Sequence, residues 1–199
     1  MTRIKICGIT NLEDALAAAE LGADMLGFVF AESRRRISPE TAKRIVETIP
    51  HFITTVGVFM NQPVSEVDDV AELVRLNAVQ LHGAESPKAC DWLSKKRNVI
   101  KRIPVQSGDT AESLEALMAS FRACAFLLDP GEGDGRTFDW RQAKGIGRPV
   151  IVAGGLTPQN VREVVRLLRP AAVDVSSGVE KEPGIKDHEK MKAFIQEAR

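Results

Sequence analysis

Short apolar, β-branched runs alternate along the chain with longer stretches in which apolar residues recur every three or four positions. The short runs are Arg3–Cys7, Met25–Phe30, Ile53–Phe59, Ala78–Leu81, Val99–Ile103, Ala125–Asp129, Pro149–Ala153 and Ala172–Val175, and they predict strands. Between them the spacing predicts helices. Asn11–Leu21 opens on a capping Asn or Thr and carries Leu12, Ala15, Leu16 and Ala19 on one face. Pro39–Ile49 begins Ser-Pro-Glu, a cap, a proline in the first turn and an acid at the positive helix end. Pro63–Leu76, Pro87–Lys95, Asp139–Gly145, Pro158–Leu168 and Asp187–Ala198 read the same way, and Asp109–Ser120 carries a weaker helical pattern.

Eight strand signals, each followed by a helix or a long loop, imply a parallel sheet of the α/β class. The expected architecture is a single compact (β/α)8 TIM barrel over residues 1–199, with short loops, because such barrels usually need about 200 residues or more. Weak internal similarity supports eight like units. Gly22-Ala23-Asp24-Met25-Leu26-Gly27, Asn77-Ala78-Val79-Gln80-Leu81-His82 and Ala171-Ala172-Val173-Asp174-Val175-Ser176 enter their strands alike. An open doubly wound sheet is the alternative, but Cys7-Gly8-Ile9-Thr10 is not the glycine fingerprint expected after its first strand.

Composition narrows the function classes. The chain is 44% hydrophobic and 27% charged, as in folded soluble proteins. Its 27 basic residues balance 27 acidic ones, so no net field favours nucleic acid or an anionic membrane. No apolar run approaches the roughly 20 residues of a membrane span. The segment Met1-Thr2-Arg3-Ile4-Lys5 lacks the apolar stretch of a signal peptide. Three cysteines, an odd number, argue against a disulfide framework. A cytoplasmic protein, monomer or homodimer, is the expectation.

In a barrel the reactive groups sit at the C-terminal strand ends, where Cys7, Gln80 with His82, Asp129, Gly154 and Ser176 all fall. Strand alternation sends Ile4 and Ile6 toward the helices and Lys5 and Cys7 into the barrel. The same parity turns Leu127, Asp129, Asp174 and Ser176 inward. Cys7 would serve as nucleophile, general base or small core residue, and a nearby cation or loop amides would favour its thiolate. Cys90 and Cys124 read as core. Asp129 emerges from Phe126-Leu127-Leu128, and burial there would keep some of it protonated, as a general acid requires.

The run Ser33-Arg34-Arg35-Arg36 follows the second strand and offers a guanidinium to a carboxylate or phosphate. Spacing alone does not choose among the three arginines. Gly154-Gly155 and Ser176-Ser177-Gly178 follow the seventh and eighth strands, where backbone amides of such barrels hold phosphate. Gly133-Asp134-Gly135-Arg136-Thr137 is a lid or a plain flexible loop. His51 and His82 lack metal-ligand spacing, so no metal is expected. Lys5 and Asp174, on the first and last strands, would pair as an ion pair inside a closed barrel.

Taken together, these motifs resemble the phosphoribosylanthranilate isomerase family of tryptophan biosynthesis. The matching stretches run from Lys5-Ile6-Cys7-Gly8-Ile9-Thr10 and Gly27-Phe28-Val29-Phe30, through Val79-Gln80-Leu81-His82-Gly83 and Leu127-Leu128-Asp129, to Asp174-Val175-Ser176-Ser177-Gly178-Val179-Glu180 and Pro183-Gly184-Ile185-Lys186-Asp187. The resemblance implies a cofactor-free Amadori rearrangement of N-(5-phosphoribosyl)anthranilate. It implies Cys7 as general base and Asp129 as general acid, and Arg35 on the anthranilate carboxylate. Gln80, His82, Gly154, Gly155, Asp174, Ser176, Ser177 and Gly178 would complete the substrate contacts. The loop before Ser38 is arginine-rich and one residue shorter than in some family members, which leaves Arg34 and Arg36 as alternatives. Three rivals remain: the histidine-pathway isomerase, which needs a second phosphate loop and an aspartate in place of Cys7; a phosphosugar-binding barrel without catalysis; and a metal-dependent epimerase.

Overall fold

Eight parallel strands close on themselves in chain order. In the computed structural model, which describes residues 1–131 and 137–199, these are β1 (Arg3–Cys7), β2 (Met25–Val29), β3 (Thr54–Phe59), β4 (Ala78–Leu81), β5 (Asn98–Pro104), β6 (Ala125–Asp129), β7 (Val150–Val152) and β8 (Ala172–Val175). Closure pairs β8 with β1 and sets Asp174 beside Lys5. The expected α/β barrel is therefore the fold. Around it lie α1 (Leu12–Leu21), α2 (Pro39–Thr48), α3 (Val64–Val74), α4 (Pro87–Ser94), α5 (Ala111–Ala119), α6 (Val161–Leu168) and α7 (His188–Ala198). Among the described residues no helix is long and apolar enough to cross a membrane.

Local chemistry explains most boundaries. Asn11 and Ser38 cap α1 and α2 by accepting from the amides of Asp14 and Thr41. The weakly patterned α5 is secured by a reciprocal capping box between Thr110 and Ser113. Two expectations fail. The stretch Asp139–Gly145 forms a 3-10 turn, Trp140–Ala143, instead of a helix. Gly145, at φ 96°, ends it before a second α-helical turn can offset the cost of the first. After β8 the chain adds an unpredicted hairpin, β9 (Glu180–Glu182) and β10 (Ile185–Lys186), turning at Gly184 with φ 89°. Its residues are mostly charged, so no alternation announced it.

Packing follows the strand parity. Ile4 and Ile6 are fully buried in the layer between strands and helices. Met25, Val56, Ala78, Ile100, Leu127, Ile151 and Ala172 fill the barrel interior. Burying one such aliphatic side chain contributes about 1.5–3 kcal/mol, so this floor is a rigid base for what lies above it. Higher up the barrel the inward positions on β1, β4, β5, β6 and β8 become polar: Lys5, Gln80, Arg102, Asp129 and Asp174, all buried. That switch marks where packing ends and chemistry begins.

Candidate active site

Cys7 ends β1, and Gly8 at φ 76° turns the chain away behind it. The space for the thiol comes from β2. Gly27 is the partner of Cys7 across the sheet, and a Cβ there would lie 2.7 Å from Sγ. Lys5 Nζ, one inward position below, is 2.9 Å from Asp174 Oδ1, the ion pair expected from the sequence. Burial works against the Lys5 charge, but Asp174 and then Cys7 more than offset it, so its pKa lies above the ordinary lysine value. For Cys7 the balance is reversed. Burial pushes the thiol up, the nearby cations Lys5 and Lys186 pull it down, and burial wins. The expected thiolate-favouring cations are present, yet in the resting site they are outweighed.

A second buried ammonium ties the site together. Lys186, on the unpredicted hairpin, donates from Nζ to the carbonyls of Cys7 (2.6 Å) and Ser176 (3.3 Å) and to Glu180 Oε1 (2.9 Å). Glu180 in turn receives both Nε and Nη2 of Arg35, each at 2.8 Å. Burial alone would raise the Glu180 carboxyl, but Arg35 and Lys186 hold it below the usual carboxylate range. Of the three consecutive arginines, Arg34 and Arg36 are exposed, and Arg36 pairs with Glu32. Arg35 is the one turned inward, its side chain lying against Gly8 and close to Ser176.

Across the mouth, Asp129 ends β6 and is 8% exposed. Its Oδ1 accepts from the Gly131 amide at 2.9 Å, and His82 Nε2 lies 3.9 Å from Oδ2. Gln80 Nε2 is 3.0 Å from His82 Nδ1. With the Gln80 amide donating there, the imidazole proton sits on Nε2, facing Asp129. Burial, then Arg102 and Lys5, hold His82 down to a pKa of about 3, so the ring is neutral. Gln80 and His82 thus form the mouth wall beside Asp129.

The glycine loops close the site on its far side. One cavity is lined by Asp129, Gly154, Gly155, Asp174, Ser176 and Ser177 together. Gly154 and Gly155 adopt φ of 86° and 60°, a conformation that side chains disfavour. A Cβ on Gly178 would collide with the Leu156 carbonyl oxygen, so only glycine lets the two loops meet. The amides of Gly155, Ser177 and Gly178 have no protein acceptor among the described residues, and the buried Ser176 hydroxyl has no partner there. Backbone amides without an acceptor, beside adjacent hydroxyls, suit an oxyanion cradle.

The structure therefore brings every sequence-predicted site residue to one end of the barrel. Of the stretch Gly133–Thr137, read as a lid or a plain flexible loop, residues 133–136 lie outside the described residues. Sequence reasoning missed Gly27, Arg102, Glu180 and Lys186 as site residues. Glu180 and Lys186 lay inside recognised motifs, but charged residues near a chain end ordinarily read as solvated. Among the described residues no cluster of three His, Cys, Asp or Glu could hold a metal ion. A thiol and a carboxyl in a buried mouth, with an oxyanion cradle between their strands, suit proton transfers on a phosphorylated small molecule.

Comparison with known proteins agrees on one family. The model of N-(5'-phosphoribosyl)anthranilate isomerase matches residues 4–197. The chain is 48% identical to the N-(5'-phosphoribosyl)anthranilate isomerase of Geobacter sulfurreducens, covering 100% of this chain and 99% of that protein. A phosphoribosylanthranilate isomerase crystallised with reduced 1-(o-carboxyphenylamino)-1-deoxyribulose 5-phosphate superposes with a TM-score of 0.88 at 46% identity, covering 100% of this chain and 98% of that one. Generated monomers of the dimeric isomerase from Thermotoga maritima superpose with a TM-score of 0.87 at 45% identity, with coverage of 100% and 98%.

Proposed function

The chain belongs to the N-(5'-phosphoribosyl)anthranilate isomerase family of tryptophan biosynthesis, and on that premise we propose that Cys7 and Asp129 carry out its two proton transfers. The observation that carries this reading is the shared cavity, which joins Asp129 to both glycine loops. A phosphate held by those loops fixes one end of the sugar. Asp129 then protonates the ring oxygen as its bond to C1 breaks, and the nitrogen lone pair forms the C1 iminium. Cys7 removes the C2 proton, giving an enolamine that tautomerises to the 2-ketose. Acid–base help of this kind contributes about 10²–10⁴-fold for each group.

The neighbours fit these roles. Lys5 and Lys186 favour the thiolate against the burial that opposes it. Lys186 and Glu180 also fix the Cys7 carbonyl and Arg35 in one hydrogen-bonded unit. Arg35 retains donors beyond those given to Glu180, and these are proposed to meet the anthranilate carboxylate. His82 and Gln80 orient the wall beside Asp129. No redox cofactor is required, because the rearrangement is internally redox-neutral. A monomer or a homodimer places the same groups at each mouth.

The test follows the loss of phosphoribosylanthranilate fluorescence. Cys7→Ala and Asp129→Asn are each expected to lower kcat by about two to four orders of magnitude while the fold, read by circular dichroism, persists. Folded wild-type protein that fails to turn the substrate over would discard the whole reading. Turnover by either variant at more than a tenth of the wild-type rate would remove that residue's role.

A further inference from the structure

Arg102 lies on β5 with the parity of Ile100, which packs in the barrel interior, so its side chain enters the mouth. It is 7% exposed, and Nε is buried without a hydrogen-bond partner. Its one hydrogen bond among the described residues is a long 3.4 Å contact from Nη2 to the Asp129 carbonyl. Among the described residues, the other buried or half-buried cations at this end of the barrel are each matched by a carboxylate: Lys5 by Asp174, Arg35 and Lys186 by Glu180, and Lys101 by Glu85. A buried guanidinium with most donors unused is costly to the fold, so its upkeep points to a ligand.

Barrel topology says which ligand. The phosphate loops follow β7 and β8, and β3 and β4 stand diametrically opposite. A substrate fixed there by its phosphate extends its other end across the mouth toward β3 and β4. Arg102, on β5, borders that destination directly, whereas Arg35, after β2, turns its guanidinium back to Glu180 beyond β8. The substrate carries two anionic groups, and the phosphate is already accounted for. We propose that Arg102 binds the aryl carboxylate of the substrate and makes the enzyme selective for a carboxylated aryl amine. This rests on the substrate assigned above.

The experiment measures Kd by calorimetry for two ligands: reduced 1-(o-carboxyphenylamino)-1-deoxyribulose 5-phosphate and the phenylamino counterpart that lacks the carboxylate. Arg102→Met is expected to weaken the first by about 10- to 100-fold, as loss of a charged hydrogen bond does, and to leave the second within twofold. Arg102→Lys should recover part of the loss. Arg102→Met should melt at or above the wild-type temperature, because an unpaired buried charge is removed. Should Arg102→Met not fold, Arg102→Gln, which keeps donors without charge, is expected to show the same carboxylate-specific loss. Equal weakening of both ligands would overturn the proposal by showing that Arg102 acts through Asp129, and so would no weakening of either. Failure of the underlying substrate reading appears separately, as wild-type protein that binds neither ligand.

Discussion

The two halves of the barrel mouth are built from similar parts and used in opposite ways. After β3 and β4, the amides of Asn61 and Gly83 converge on Glu85 Oε1 at 2.9 and 3.1 Å, and the buried Lys101 ammonium meets Oε2 at 2.7 Å. Against the cost of burial, Lys101 and the Asn61 amide hold the Glu85 carboxyl below its usual range. After β7 and β8, the amides of Gly155, Ser177 and Gly178 have no protein acceptor among the described residues. Each half is an oxyanion cradle. One is filled by an anion tethered to the chain, and the other presents amides with no protein acceptor among the described residues. On the function proposed above, the open cradle takes the one phosphate of the substrate.

Opening the closed half should have the largest effect. Glu85 is 5% exposed at its side chain and Lys101 3%, so Glu85→Ala leaves a buried ammonium and two amides unpaired. The expected loss is about 3–5 kcal/mol in denaturant unfolding. The double exchange Glu85→Gln with Lys101→Met should cost less than Glu85→Ala, because the glutamine still accepts from the amides and no charge is stranded. A single-variant loss under about 1 kcal/mol would mean the cradle is not an energetic unit.

Closing the open half should cost activity and spare the fold. Ser177 is exposed on its loop, so Ser177→Asp brings a carboxylate to the amides without disturbing packing. We expect kcat/KM to fall by about a hundredfold, the scale of a lost charge-assisted contact, with the unfolding midpoint within about 0.5 kcal/mol of wild type. Inorganic phosphate, a competitive inhibitor of the wild type on this reading, should lose its inhibition in the variant. Retained phosphate inhibition would place the phosphate elsewhere.

How much of this asymmetry the sequence revealed depends on where the signal resided. Cys7, Asp129 and the glycine loops were legible because strand parity and turn residues act locally. Inward alternation at Lys5 and Asp174 even foresaw their ion pair, since closure makes β1 and β8 neighbours. The closed half was not legible. Glu85 is a common acid before a helix, and only the register of β4 with β5 brings Leu81 beside Lys101 and so gives Glu85 its partner. Lys186 was hidden for the same reason. Its hairpin has no apolar alternation, and its three acceptors come from β1, the loop after β8 and the hairpin itself. Arg102 could be placed on an inward face by counting, but that its Nε lacks a partner is a property of the assembled mouth.

The smallest effect concerns the proton balance of the closed half. His82 stands at the end of β4 among the cations Arg102, Lys5 and Lys101, and with burial these hold its pKa to about 3. The unfolded chain takes up a proton near the ordinary histidine value of about 6.5, whereas the native ring does not until far lower pH. A depressed native pKa contributes stability above the unfolded value and loses it as pH falls. Native stability should therefore decline by about 1 kcal/mol per pH unit below pH 6, from this one group. In His82→Gln that slope should become shallower by about the same amount between pH 6 and pH 4, while stability at pH 8 changes little beyond the lost Gln80 contact. Urea unfolding at matched ionic strength measures both. Equal slopes in the two proteins would mean that burial and the surrounding cations do not keep the native His82 ring unprotonated over this range.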